Sequence, residues 1–246
     1  MENSLYIGLS SQVALHEKMS IIANNVANLN TPGFRAQNMV FDEYVHDAAR
    51  IDTRNMKENI SMVLDYGQYQ MTDPGPVKVT GNALDAALIG PGFFGIQTPE
   101  GVQYTRAGNF SMAPDGTIVN ARGLPVASQG GGNLTVPTDA KNIYIDHKGV
   151  VSTDNGQVGA LMVVEFENEQ KLDPAGNGLY KTDEAGTPAQ KTTVHQGKLE
   201  GSNVESVVEM TRMIDVLREY QAVQNMMRNE HERLRTAIQR LSKTNG

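Results

Sequence analysis

Apolar residues at the two ends of the chain recur three and four positions apart. Near the N-terminus the row runs Leu5, Gly8, Gln12, Leu15, Met19, Ile22, Val26 and Leu29, with Gly8 and Gln12 departing from the apolar pattern. Near the C-terminus it runs Met210, Met213, Leu217, Tyr220, Gln224, Met227, His231, Leu234, Ile238 and Leu241. This spacing is that of a helix packing lengthwise on another helix. The first helix is expected to stop at Asn30-Thr31-Pro32-Gly33, where Asn and Gly suit a left-handed cap and Pro32 pushes Thr31 out of helical geometry. Ser202 or Asn203 is a plausible N-cap for the second. Forty helical residues would span about 60 Å, too long for a small domain to bury alone.

The middle of the chain has a different grammar. Short β-prone runs, among them Val77–Thr80, Ala86–Ile89, Phe93–Gln97, Val102–Thr105, Thr117–Val119, Asn142–Asp146 and Leu161–Phe166, alternate with turn signals such as Pro114-Asp115-Gly116, Asn155-Gly156 and Asn177-Gly178. The expected fold is α+β: long N- and C-terminal helices pairing as a coiled-coil-like domain, with a central all-β domain of short strands. The expected organisation is an N-terminal helix and cap over 1–36, a partly ordered connector over 37–75, a β-rich domain over 76–198 and a C-terminal helix over 199–246.

Composition narrows the function. With 246 residues and 39% hydrophobic content the chain can bury a core. A formal charge of −7 and scattered Lys and Arg argue against nucleic-acid binding. The absence of cysteine removes disulfides, thiolate zinc sites and a thiol nucleophile. No run of 18 apolar residues suggests a membrane span, and Met1-Glu2-Asn3-Ser4 does not open a signal peptide.

The motifs that could carry chemistry are weak. Gly90-Pro91-Gly92-Phe93-Phe94-Gly95 fits G-x-G-x-x-G, but the residues after it read as a strand, whereas a dinucleotide site needs a helix opening there. Asp173 to Glu184 approaches a calcium loop, but Ala175 replaces an oxygen ligand and neither flank reads as a helix. The five histidines fall in no metal-binding spacing. No metal, cofactor or catalytic residue is expected. Asn24, Asn25 and Asn28 place amides on several faces of the first helix, either as a polar fringe and cap or as hydrogen-bonding groups between subunits.

Three segments resemble a known family. Ala23-Asn24-Asn25-Val26-Ala27-Asn28-Leu29-Asn30-Thr31-Pro32-Gly33-Phe34-Arg35 resembles the N-terminal signature of bacterial flagellar rod and hook proteins. Thr80–Asp85, Gly92-Phe93-Phe94 and Tyr104–Phe110 resemble the start of their β domain, and Leu199–Glu205 with Glu209-Met210 the opening of their C-terminal helix. The opening Met1–Ser10 and the short connector resemble the proximal-rod subgroup, with the distal-rod protein or a rod assembly or cap factor as alternatives. The resemblance implies a non-enzymatic subunit of the basal-body rod, a torque-transmitting shaft across the periplasm. It implies partners among copies of itself, the proximal and distal rod proteins and the flagellar type III export apparatus, with no cleaved signal and no membrane insertion. It makes the helical rows the assembly interface: Leu15, Met19, Ile22, Asn24, Asn25, Val26, Asn28 and Leu29 on the first helix, and Met210, Met213, Leu217, Tyr220, Gln224, Met227, Leu234 and Ile238 on the second.

Overall fold

The computed structural model describes residues 2–47, 59–140 and 142–244. The chain divides into two compact units, one holding residues 1–27, 37–70 and 205–246, the other residues 28–36 and 71–204.

The first unit contains two α-helices, α1 (Glu2–Ala27) and α2 (Ser206–Thr244), and two antiparallel strands, β1 (Gln37–Asp47) and β2 (Asn59–Gln70). This corrects two expectations. Gln37–Asp47 and Asn59–Gln70 form a long strand pair within the stretch 37–75 where a partly ordered connector was expected; residues 48–58 of that stretch lie outside the described residues. Ile60, Met62, Leu64 and Tyr66 alternate with polar or small residues as a strand requires, except at Val63. The register shifts between Val40 and Phe41, opposite Gly67 and Asp65, so Tyr66 is the extra residue of a bulge. Gly67 has φ +139°, a conformation in which a side chain is strained. Nor do the helices form a two-helix coiled coil. The packed side of α1 is shared between α2 and the strand pair. It is made by Gly8, Ala14, Ile21, Ile22 and Asn25, a mixture of small, apolar and polar residues rather than a continuous apolar seam.

Among its described residues the second unit is all β apart from a short 3-10 turn at Glu169–Lys171. Its largest sheet has six strands in the spatial order Asp173–Gly176, Leu179–Lys181, Gly101–Thr105, Gly92–Thr98, Val163–Glu165 and Thr187–Pro188. Phe94, Ile96, Ile118, Val126, Leu134, Val151 and Leu161 form the main core. The expected strand after the Gly-Pro-Gly sequence is present, with Phe93 and Phe94 both buried. The calcium-loop look-alike is a β-hairpin, Asp173–Gly176 with Leu179–Lys181, turning on Asn177 (φ 57°) and Gly178 (φ 73°).

A buried ion pair closes this unit. Arg106 is fully buried, its Nε 2.9 Å and its Nη2 2.6 Å from Glu200 Oε2. Its Nη1 donates to the carbonyls of Gly90 (2.7 Å) and Gly92 (2.5 Å). Arg35 pairs with Glu169 and lies over the Phe93 ring, 5.1 Å from its centroid. Gly33 N donates to Glu200 O, and Gly33 has φ +66° with a hypothetical Cβ 2.4 Å from the Arg106 carbonyl carbon, so only glycine fits there. Neither expected N-cap, Ser202 or Asn203, adjoins the helix, which starts at Ser206; Asn203 instead accepts from Ala36 N (2.7 Å) and donates to the carbonyls of Met71 (3.3 Å) and Asp73 (2.9 Å). The segments leading out of α1, out of β2 and into α2 are thereby tied together.

Candidate assembly interface

α1 ends at Ala27, earlier than Pro32 alone would require. Beyond it Thr31 N donates to Asn28 O and Thr31 Oγ1 to Asn28 Oδ1 (3.1 Å), a local turn that competes with the helix. Two contacts fix α1 against α2. A Cβ on Gly8 would lie 2.9 Å from Met227 Cγ, so the missing side chain admits α2. At the other end Asn25 Nδ2 donates to Glu209 Oε2 (3.2 Å). Gly8 meets Met227 and Asn25 meets Glu209, so the helices run antiparallel.

Asn25 is fully engaged within the chain. Its Nδ2 also donates to Gln37 O (2.9 Å), and its Oδ1 accepts from Gln37 N (3.0 Å), the first residue of β1. Glu209, 3% exposed, is held by Asn25 and by Arg212 Nη1 at 2.6 Å. It lies in the first turn of α2, where the helix dipole favours an anion.

The other expected interface residues divide. Ile22 is buried, and Leu15, Met19, Val26, Asn28 and Leu29 are half-buried; Asn24 is exposed. On α2, Met213, Tyr220, Met227 and Leu234 are half-buried, while Met210, Leu217 and Gln224 are exposed. Ile238 belongs to α2, but its side chain lies outside the described residues. The covered row of α2 is Ser206, Glu209, Met213, Val216, Tyr220, Val223, Met227, Glu230 and Leu234. It shares Met213, Tyr220, Met227 and Leu234 with the expected row and is displaced by one residue at the positions between.

That displacement exposes a second apolar row, in which Met210 and Leu217 of the expected row join Val207 and Ile214, which the spacing did not single out. Val207, Met210, Ile214 and Leu217 are 76%, 52%, 51% and 38% exposed, spaced three, four and three apart along one face of α2. On α1, Tyr6, Leu9 and Val13 form a shorter exposed row at spacings of three and four. At about 100° per residue, the covered and exposed rows of α2 occupy different faces of the helix. The signal was present in the sequence, since apolar residues occupy both rows. Among the described residues no group of three or more potential metal-ligating side chains occurs, and no helix is long and apolar enough to cross a membrane.

Comparison with known proteins gives this arrangement its context. Three family profiles match: flagella basal body rod protein over residues 5–35, flagellar hook protein FlgE/F/G D1 domain over residues 87–153, and flagellar basal body rod FlgEFG protein C-terminal over residues 195–240. The chain is 37% identical to the flagellar basal-body rod protein FlgF of Caulobacter vibrioides, over 100% of both chains. It is 32% identical to FlgG of Bacillus subtilis, over 97% of this chain and 98% of that one, and 32% identical to FlgF of Rhizobium meliloti, over 98% of each. The chain therefore belongs to the flagellar basal-body rod protein family.

Proposed function

We propose that the chain assembles as a structural subunit of the flagellar rod through the outward apolar rows of α1 and α2. The observation that carries this reading is Val207, Met210, Ile214 and Leu217 standing in one row, each exposed among the described residues. A contiguous exposed apolar patch marks an interaction surface, because leaving it in water forgoes burial that a partner can supply. Met210 and Leu217 keep their expected interface role on this face. Ile22 and Asn25 serve it indirectly, by holding α1 against α2 and β1. Asn24 and Gln224, both exposed, keep their expected interface role.

The partners are copies of the chain and other rod proteins, with delivery by the flagellar type III export apparatus and a final place in the rod as it crosses the periplasm. The role is mechanical rather than catalytic. A proximal-rod position is supported by the end-to-end match to a FlgF protein. A mass-spectrometric census of purified basal bodies tests the reading. A rod subunit stays in stoichiometric amounts, and the Ile214→Asp variant is missing from the rod although it is expressed and folded. Loss of the wild-type chain from intact basal bodies would make it a transient assembly factor instead.

A further inference from the structure

Two histidines far apart in sequence meet on the β unit. His147 lies in the turn after the Ile143–Ile145 strand, and His195 on the Thr193–Gln196 strand. Val194 N donates to His147 O (3.0 Å), which holds the turn against the strand. His147 Nδ1 lies 3.2 Å from Val194 O. A carbonyl only accepts, so Nδ1 carries the proton and Nε2 keeps its lone pair. His195 Nε2 lies 3.2 Å from the Thr193 hydroxyl, which leaves its Nδ1 as the other free nitrogen. Each ring thus has one nitrogen oriented by a neighbour, the usual support of a metal-ligating histidine.

The ring centroids are 4.8 Å apart and the ring planes are tilted by 56°. A metal about 2.0–2.1 Å from each imidazole nitrogen lies about 3.2 Å from each ring centre, so rings on adjacent coordination positions have centres about 4.5–5.2 Å apart. The observed separation falls in that range, and the tilt is far from parallel stacking. His147 is exposed and His195 half-buried, so water can supply the remaining ligands.

We infer that His147 and His195 form a two-imidazole site for a divalent transition-metal ion, distinct from the helical assembly surface. The charged groups around it limit its strength. Lys198 acts on His195 with a like charge against a bound cation, and Lys148 follows His147 in the turn. Asp146 does not join the pair: no group of three potential ligands occurs among the described residues, and its Oδ1 accepts from Lys148 N and Val150 N, both at 2.8 Å. With nitrogen ligands alone the site selects Cu²⁺ over Ni²⁺ and Zn²⁺ and leaves Mg²⁺ unbound.

The test is calorimetric titration of the full chain with Cu²⁺, Ni²⁺, Zn²⁺ or Mg²⁺ alone, on the wild type and on His147→Ala, His195→Ala and His16→Ala/His231→Ala variants. Amide NMR with Ni²⁺ locates the ion by paramagnetic broadening. The expected result is affinity reduced at least tenfold in either single variant and unchanged in the helix-histidine variant, with broadening centred on residues 146–149 and 193–196. His195→Gln is a second, gentler variant should His195→Ala fail to fold. Wild-type affinity in the His147 and His195 variants, or broadening centred elsewhere, would overturn the assignment.

Discussion

Replacing Arg106 by Met removes one half of the ion pair that closes the β unit. The guanidinium is fully buried; burial lowers its pKa, and the Glu200 carboxylate opposes that shift. Its loss leaves Glu200, 2% exposed, with a buried charge and the Gly75 N–H at 3.2 Å as a remaining donor. The carbonyls of Gly90 and Gly92 also lose a donor. Breaking a buried pair by removing one partner costs about 3–5 kcal/mol. Against a total stability of about 5–15 kcal/mol, that is about a fifth or more of a typical domain's stability. Removing both charges relieves the stranded carboxylate, so Arg106→Met/Glu200→Leu should recover at least about 1 kcal/mol relative to Arg106→Met alone. Urea unfolding followed by circular dichroism measures all four corners of this cycle. Single-variant costs below about 1 kcal/mol, or costs that simply add, would show that the pair does not hold the unit closed.

Three further outcomes follow from the same structure. Asn25→Ala removes the hydrogen bonds to Gln37 and Glu209 and should cost the helical unit about 1–3 kcal/mol, read as lost amide protection in α1 and β1. Ile22→Asp and Leu217→Asp should part company: the first buries a charge and unfolds the helical unit of the isolated chain, while the second leaves that unit within about 0.5 kcal/mol of wild type yet abolishes motility. If Leu217→Asp cells swim normally, the exposed row is not an interface. Glu165 supplies a pH test. Burial works against its carboxylate, but the Thr192 hydroxyl and the backbone N–H groups of Lys191, Thr192 and Gln190 outweigh burial and hold its pKa low. A depressed folded-state pKa gives stability that is present above the ordinary carboxylate range and lost as pH falls through the folded value. Glu165→Gln should therefore lower the unfolding midpoint at neutral pH and converge with wild type once the pH has fallen below the folded-state value.

The elements marked by local chemistry were legible in the sequence. Periodicity places both helices, and Asn155-Gly156 and Asn177-Gly178 announce the hairpins found there. The strands Asp173–Gly176 and Thr187–Pro188 were not legible, since Pro and Gly within them deny the usual strand pattern. The β1–β2 pair was masked by Asp42, Glu43, Asp47 and Asp65, which blur its alternation. On α2, Val216 and Leu217 are equally apolar, so spacing alone cannot say which of two adjacent rows is covered. The partner decides: Asn25 draws in Glu209, Gly8 admits Met227, and Met210 and Leu217 turn outward. Arg106 stands in a recognisable stretch, Tyr104–Phe110, but its burial was not readable, because a charged side chain is almost never fully buried unless paired. Its partner Glu200 is far away in sequence.

The exposed row on α2 can be probed directly because the chain contains no cysteine. A single Ile214→Cys substitution places one thiol in the middle of that row. Its maleimide labelling rate would be compared in the dilute purified chain and in basal bodies isolated from motile cells that carry the variant. Assembly through this face predicts ready labelling in the dilute chain and at least a tenfold slower reaction in the basal body. Equal rates in the two states would contradict it.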